Sequence, residues 1–103
     1  MFTWIQQPNY RYYPPGKEEG EYHLNVADIY RGVVKFKNDS VSGAYHWSAS
    51  YFAGSAASSH TSIPNAGRDE HMDWVEHFIT NALASINITL PPGRTIKHLK
   101  DQP

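Results

Sequence analysis

The chain contains no cysteine, which excludes disulfides, thiolate zinc sites and a cysteine nucleophile together. It has no apolar run approaching the ~20 residues of a membrane-spanning helix. Its start, MFTWIQQPNYRYY, lacks the basic and apolar regions of a secretory signal. The expected location is therefore the cytoplasm of the host cell. An excess of one charge is missing as well: nine Lys and Arg stand against ten Asp and Glu, for a formal net charge of −1. A protein that lives on duplex phosphate normally carries surplus positive charge, so this balance argues against general nucleic-acid binding. There is no glycine loop of the kind that cradles phosphate, and no glycine-framed nucleophile elbow. Ser58, Ser59 and His60 are neighbours in sequence, but adjacent serine and histidine need not face each other, and they make no triad.

What the sequence has in quantity is aromatic rings: three Trp, seven Tyr and four Phe in 103 residues. A chain of this length is one domain, burying roughly 60–70% of the surface its unfolded form exposes. Many of the rings must form its core, and the surplus is material for a recognition surface.

Residues 1–21 read as an irregular arm. Pro14-Pro15-Gly16 precedes a charged stretch, a pattern of turns rather than of an element interior. Between 22 and 36, YHLNV and YRGVVKF read as two strands around a turn near Asp28, with a short helix over 26–31 as the alternative. KNDSVSG supplies turn residues before AYHWSASYF. In that segment Tyr45, Trp47, Ala49 and Tyr51 alternate with His46, Ser48, Ser50 and Phe52. The alternation describes an antiparallel hairpin with one aromatic face, expected to cover the helix. AGSAASSHTSIPNAG is too poor in bulk for a core strand and reads as a crossing loop.

Met72, Val75, Ile79, Ala82, Leu83 and Ile86 recur at three- and four-residue spacing, which predicts a helix at about 68–86. Asp69 or the Asn65–Gly67 turn can cap its start, and acidic residues crowd its first turn, where the macrodipole favours them. NITLPPGRTIKHLK then reads as a strand fragment, a turn and a short basic terminal segment over 94–103. The fold class expected is α+β: a small antiparallel sheet of three to five strands packed against one long amphipathic helix, in a single domain over 1–103.

The stretch RDEHMDWVEHF carries the densest chemistry. At about 100° per residue, His71 falls at the edge of the buried stripe and His77 roughly 120° from its centre, so the two cannot chelate one ion. Glu70, Asp73 and His77 share a solvent-facing strip. Such ligands suit zinc or manganese in principle, with a further histidine such as His46 or His60 needed to complete a hydrolase site. A surface helix with acids at its start and an Asp73–His77 pair explains the same residues without metal. No cofactor is expected. Trp74 lies about 125° from the stripe centre, near Phe78. Either the arm bearing Tyr10, Tyr12 and Tyr13 covers it, or it anchors a partner, since Trp and Tyr dominate interface hot spots. Arg11 among those tyrosines resembles single-strand binders only faintly. Arg94, Lys97, His98 and Lys100 form a basic tail suited to solvent or to an acidic partner.

The layout over residues 30–90 resembles short proteins of phages and mobile elements. It is also loosely similar to antitoxins that pair a three-stranded sheet with a helix. Small size, the lack of any complete catalytic constellation and the display of acidic and aromatic groups together lead instead to the expectation of a small non-enzymatic module that binds another protein or protein complex, most concretely an anti-CRISPR-like inhibitor occluding a host surface. Its expected contact set is Trp74, Glu70, Asp73, His77, Phe78, Tyr12 and Tyr13. A metal-dependent hydrolase using Glu70, Asp73 and His77, and a homo-oligomeric or antitoxin-like subunit, are the alternatives.

Overall fold

The computed structural model describes residues 1–8, 20–38, 44–55 and 59–98. The strands are β1 (Phe2–Gln6), β2 (Glu21–Val26), β3 (Tyr30–Asn38), β4 (Tyr45–Ala53) and β5 (Ser59–Thr61), followed by α1 (Arg68–Ala84) and β6 (Arg94–Lys97). They form one α+β domain whose sheet has six strands in the order β5-β4-β3-β2-β1-β6. All neighbouring pairs are antiparallel except β1 with β6, which is parallel. Among the described residues no helix is long and apolar enough to cross a membrane.

The sheet is larger than the three to five strands expected, and the added strands have identifiable causes. FTWIQ was assigned to an irregular arm because it is short and follows no turn signal. Phe2 and Trp4 nevertheless alternate inward and are buried, and β2 and β6 flank the segment on both sides. SHT is too small to earn a core place, and it forms only a three-residue edge strand on β4. RTIK becomes the opposite edge, where its parallel pairing with β1 aligns Ile96 with Trp4. The NITL fragment is not a strand.

Residues 22–36 resolve into the two-strand reading. Ala27 and Asp28 both take positive φ, 58° and 57°, the pairing that a tight hairpin turn requires. Asn25 supports it by accepting the Asp28 N–H at 3.0 Å. Of the predicted turn KNDSVSG, Lys37 and Asn38 belong to β3, and residues 39–43 lie outside the described residues.

The helix occupies the predicted place and ends slightly sooner. Gly67 is its N-cap; having no side chain, it contributes only a backbone N–H, which donates to Glu70 Oε2 at 3.0 Å. At the far end Ile88 N–H reaches Leu83 O at 2.9 Å and Asn87 N–H reaches Ala84 O at 3.0 Å. With Asn87 at φ 63°, these bonds form a Schellman-type stop. Ile86, expected in the buried stripe, is 55% exposed beyond that stop.

The core lies between the helix and one face of the sheet. Trp4, Leu24, Val34 and Ala49 from the strands meet Met72, Val75, Ile79 and Leu83 from α1. Gly32 permits the closest approach: a Cβ there would stand 2.4 Å from Val75 Cγ1 and 3.1 Å from the Trp4 ring. Val75 therefore sits over β3. One flank of the helix reaches β4, where Phe78 stacks on Tyr51 at 5.1 Å between ring centroids. Its other flank reaches β1 and β6 through Glu76. That carboxylate accepts Trp4 Nε1–H at 2.7 Å and Arg94 Nε–H at 2.7 Å on one oxygen, and Arg94 Nη2–H at 2.9 Å on the other. Arg94 Nη2 also donates to Asp73. These hydrogen bonds, from Glu76 first and Asp73 next, hold the Arg94 guanidinium above its ordinary range against the opposing effect of burial.

Breaking a fully buried ion pair costs about 3–5 kcal/mol. Here the Glu76 and Arg94 side chains keep 14% and 19% exposure, and Asp73 would remain. Glu76→Gln is expected to destabilise by about 2 kcal/mol, read as a lowered urea midpoint at unchanged slope. A shift equivalent to less than about 0.5 kcal/mol, the size of an ordinary surface pair, would show that the network is incidental.

Candidate functional site

Strand alternation decides what each face of the sheet presents. Because Phe2, Trp4, Tyr22, Leu24, Val34, Ala49 and Ile96 pack toward α1, their neighbours point to the helix-free face. Arg31, Val33, Lys35 and Lys37 project there from β3. The register sets Arg31 opposite Phe52, Lys35 opposite Ser48, and Lys37 opposite His46. Lys97 joins them from β6, aligned with Ile5 of β1, which is 40% exposed. Arg31, Lys35, Lys37 and Lys97 thus share one face with Glu21 as the only acid there among the described residues. Glu21 itself pairs with His23 Nε2 at 2.6 Å.

Contacts across this face make it an ordered surface. The Arg31 guanidinium carbon lies 5.5 Å from the centroid of the Phe52 ring, within cation–π reach. Ser50 Oγ is 2.9 Å from His60 Nδ1. Partial burial, then the Lys37 and Lys35 ammoniums, push the His60 imidazole below its ordinary value. Ser48 is buried, and its Oγ has no hydrogen-bond partner. The Ser50–His60 pair has no described carboxylate on the second ring nitrogen, so it lacks the orienting third member of a hydrolytic triad.

The helix carries the opposite charge. Asp69, Asp73 and Glu76 pair with Arg68 and Arg94 there. Each residue of the expected contact strip has a task within the fold. Glu70 caps the helix, Asp73 pairs with Arg94, and His77 Nε2 lies 3.2 Å from Asn81 Nδ2. The expected Asp73–His77 pair is therefore replaced by partners from β6 and from the next helical turn. His46 and His60 project from the sheet's other face, so the sheet separates them from Glu70, Asp73 and His77. Among the described residues no group of three or more His, Asp or Glu side chains is placed to hold a metal ion.

His71 lies deeper than the stripe edge and is fully buried. Its Nε2 accepts the Ile63 N–H at 3.0 Å, so Nδ1 carries the proton and donates to Gly67 O at 2.7 Å. It ties the crossing loop to the start of the helix. Trp74 is half-buried rather than outward, set edge-on to Phe78 at 4.8 Å, and Phe78 is held by Tyr51. Trp74 is partly buried against the core cluster. Tyr10, Tyr12 and Tyr13 lie outside the described residues.

A pocket of about 390 Å³ opens beside the helix start, lined by residues including Tyr22, Trp47, Arg68 and His98. Its polar groups are turned on one another: Arg68 Nη1 donates to Tyr22 Oη at 3.3 Å and Arg68 Nε to Asp69 at 3.1 Å. The basic face was the feature that charge counting missed. Its signal was available in YRGVVKFK, where Arg31, Lys35 and Lys37 fall at even spacing and must share a side.

Nearby ammonium groups disfavour the imidazolium, so His60 is expected to titrate below about 6.5. Lys37→Gln should move its NMR titration midpoint upward, toward that value. An unchanged midpoint would show that the lysine does not approach it. Comparison with protein-family models, with curated proteins and with solved structures finds no match to this chain.

Proposed function

We propose that this protein is a non-enzymatic binding module that takes an anionic macromolecular partner on the helix-free face of its sheet. One observation carries the reading: among the described residues charge is segregated, with Arg31, Lys35, Lys37 and Lys97 on one side, where Glu21 lies opposite Lys35, and the acidic helix on the other. A surface of one sign attracts an oppositely charged partner from a distance and is screened by salt. The absence of a complete catalytic constellation among the described residues favours binding over turnover.

A second reading rests on α1. The side chains of Asp69 and Asp73 are 62% and 70% exposed beside the half-buried Trp74 and Phe78. On that surface the chain would occlude a basic patch of a protein complex, as an anti-CRISPR-like inhibitor from a phage or mobile element would do. The two readings use opposite faces and separate cleanly.

Heparin is a suitable probe for the first. The protein should be retained on immobilised heparin despite its balanced charge, and Lys35→Glu with Lys37→Glu should elute it at markedly lower salt. Wild-type flow-through at low salt would refute the reading. For the second, pull-down of a basic host complex should be lost with Trp74→Ala and Asp69→Lys. Capture unchanged by both would exclude α1 as the contact.

A further inference from the structure

The occupant of the basic face can be specified further, on the reading that this face binds an anion. We infer that it is a platform for single-stranded nucleic acid, with Arg31 and Phe52 stacking a base while Lys35, Lys37 and Lys97 contact phosphates.

Shape argues for a single strand over a duplex. Six strands at about 4.8 Å spacing make a sheet about 24 Å wide, twice the ~12 Å major groove that admits a helix or a two-stranded ribbon. The helix is not available for that groove either, since its inner face is sealed against the sheet and its outer face is acidic. A helix-free sheet face instead meets a single strand broadside, where bases splay onto flat groups and phosphates follow the cations.

The chemistry of the face fits the same occupant. Guanidinium planes and aromatic rings both serve as stacking surfaces for unpaired bases, and here the two stand side by side, the Arg31 guanidinium carbon 5.5 Å from the Phe52 ring centroid. Ser50 and His60 stand beside them as hydrogen-bonding groups able to meet base edges. The imidazole, pushed below its ordinary value by burial and by the two lysines, meets a base as a neutral ring. An acidic protein is a poorer match. Protein hot spots centre on packed aromatic and apolar anchors, whereas this face offers Ile5, Val33 and the Phe52 ring spread among four cations.

The test measures fluorescence anisotropy of the full chain with labelled oligothymidylate and oligouridylate of roughly twelve nucleotides, within the site sizes such surfaces take. A duplex of the same length and labelled polyglutamate run beside them. The expected result is binding of the single strands at least about tenfold tighter than of either control. The log–log salt slope should fall near −2 to −3, from roughly −0.7 per phosphate over three or four contacts. Lys35→Glu with Lys37→Glu should weaken binding by more than about tenfold and flatten that slope. Phe52→Ala should weaken it by about tenfold without removing charge. Retained folding of each variant is checked by its urea midpoint, and Lys35→Gln with Lys37→Gln stands in if charge reversal unfolds the chain. Retention on heparin with no preference for single strands would overturn the nucleic-acid assignment while leaving an anion-binding face. Tighter binding of polyglutamate would overturn it in favour of an acidic protein. No retention on heparin and no oligonucleotide binding would overturn both.

Discussion

Glu76 joins three elements that no other described carboxylate reaches together. It receives the indole N–H of fully buried Trp4 in β1 and the fork of Arg94 in β6, while sitting on α1. A buried indole N–H needs an acceptor, and a half-buried guanidinium needs an anion with matching geometry. One glutamate satisfies both. β6 is a four-residue edge strand with little apolar surface of its own, so this fork fixes how it seats on β1. The same contact locks the flank of the helix that faces that half of the sheet. Phe78 on Tyr51 locks the other flank, and Val75 over Gly32 sets the distance between helix and sheet.

That arrangement leads from packing to function. Arginines on the helix side are absorbed by acidic residues of α1, so the helix face is acidic but largely paired. The lysines of β3 and β6, pointing the other way by strand alternation, meet only Glu21, opposite Lys35, among the described acids on that face. A chain with almost no net charge thereby acquires a polar distribution of charge. The overall balance bears on solubility and says little about either face. Binding follows the local field.

The sequence was most legible where periodicity is strong. The helix start, the β2–β3 turn at Asp28 and the aromatic alternation of β4 follow directly from residue spacing. Strand β1 was obscured because five residues between termini and turn-like tyrosines carry too little period. β6 was obscured because Arg94 reads as tail charge until its acceptors, far away in sequence, are known. The role of Glu76 had no local signal: its partners lie at separations of 18 and 72 residues. His71 was placed at the edge of the stripe by helical arithmetic, which knows nothing of the loop at Ile63 that encloses it. Trp74 illustrates the same gap, since an angle on a helical wheel cannot register that it is partly buried against the core cluster, edge-on to Phe78. The candidate surface lay half in view: the strand was read correctly, but its charges were counted with the whole chain instead of being assigned to a side.

The claim that charge segregation makes the helix-free face the binding surface is tested most directly by mapping. Amide chemical shifts of isotopically labelled protein would be followed as oligothymidylate is added. The account predicts perturbations concentrated at Arg31, Val33, Lys35, Lys37, Ser50 and Phe52, with α1 silent. Perturbations clustered instead on Asp69, Asp73, Trp74 and Phe78, with β3 unaffected, would contradict it.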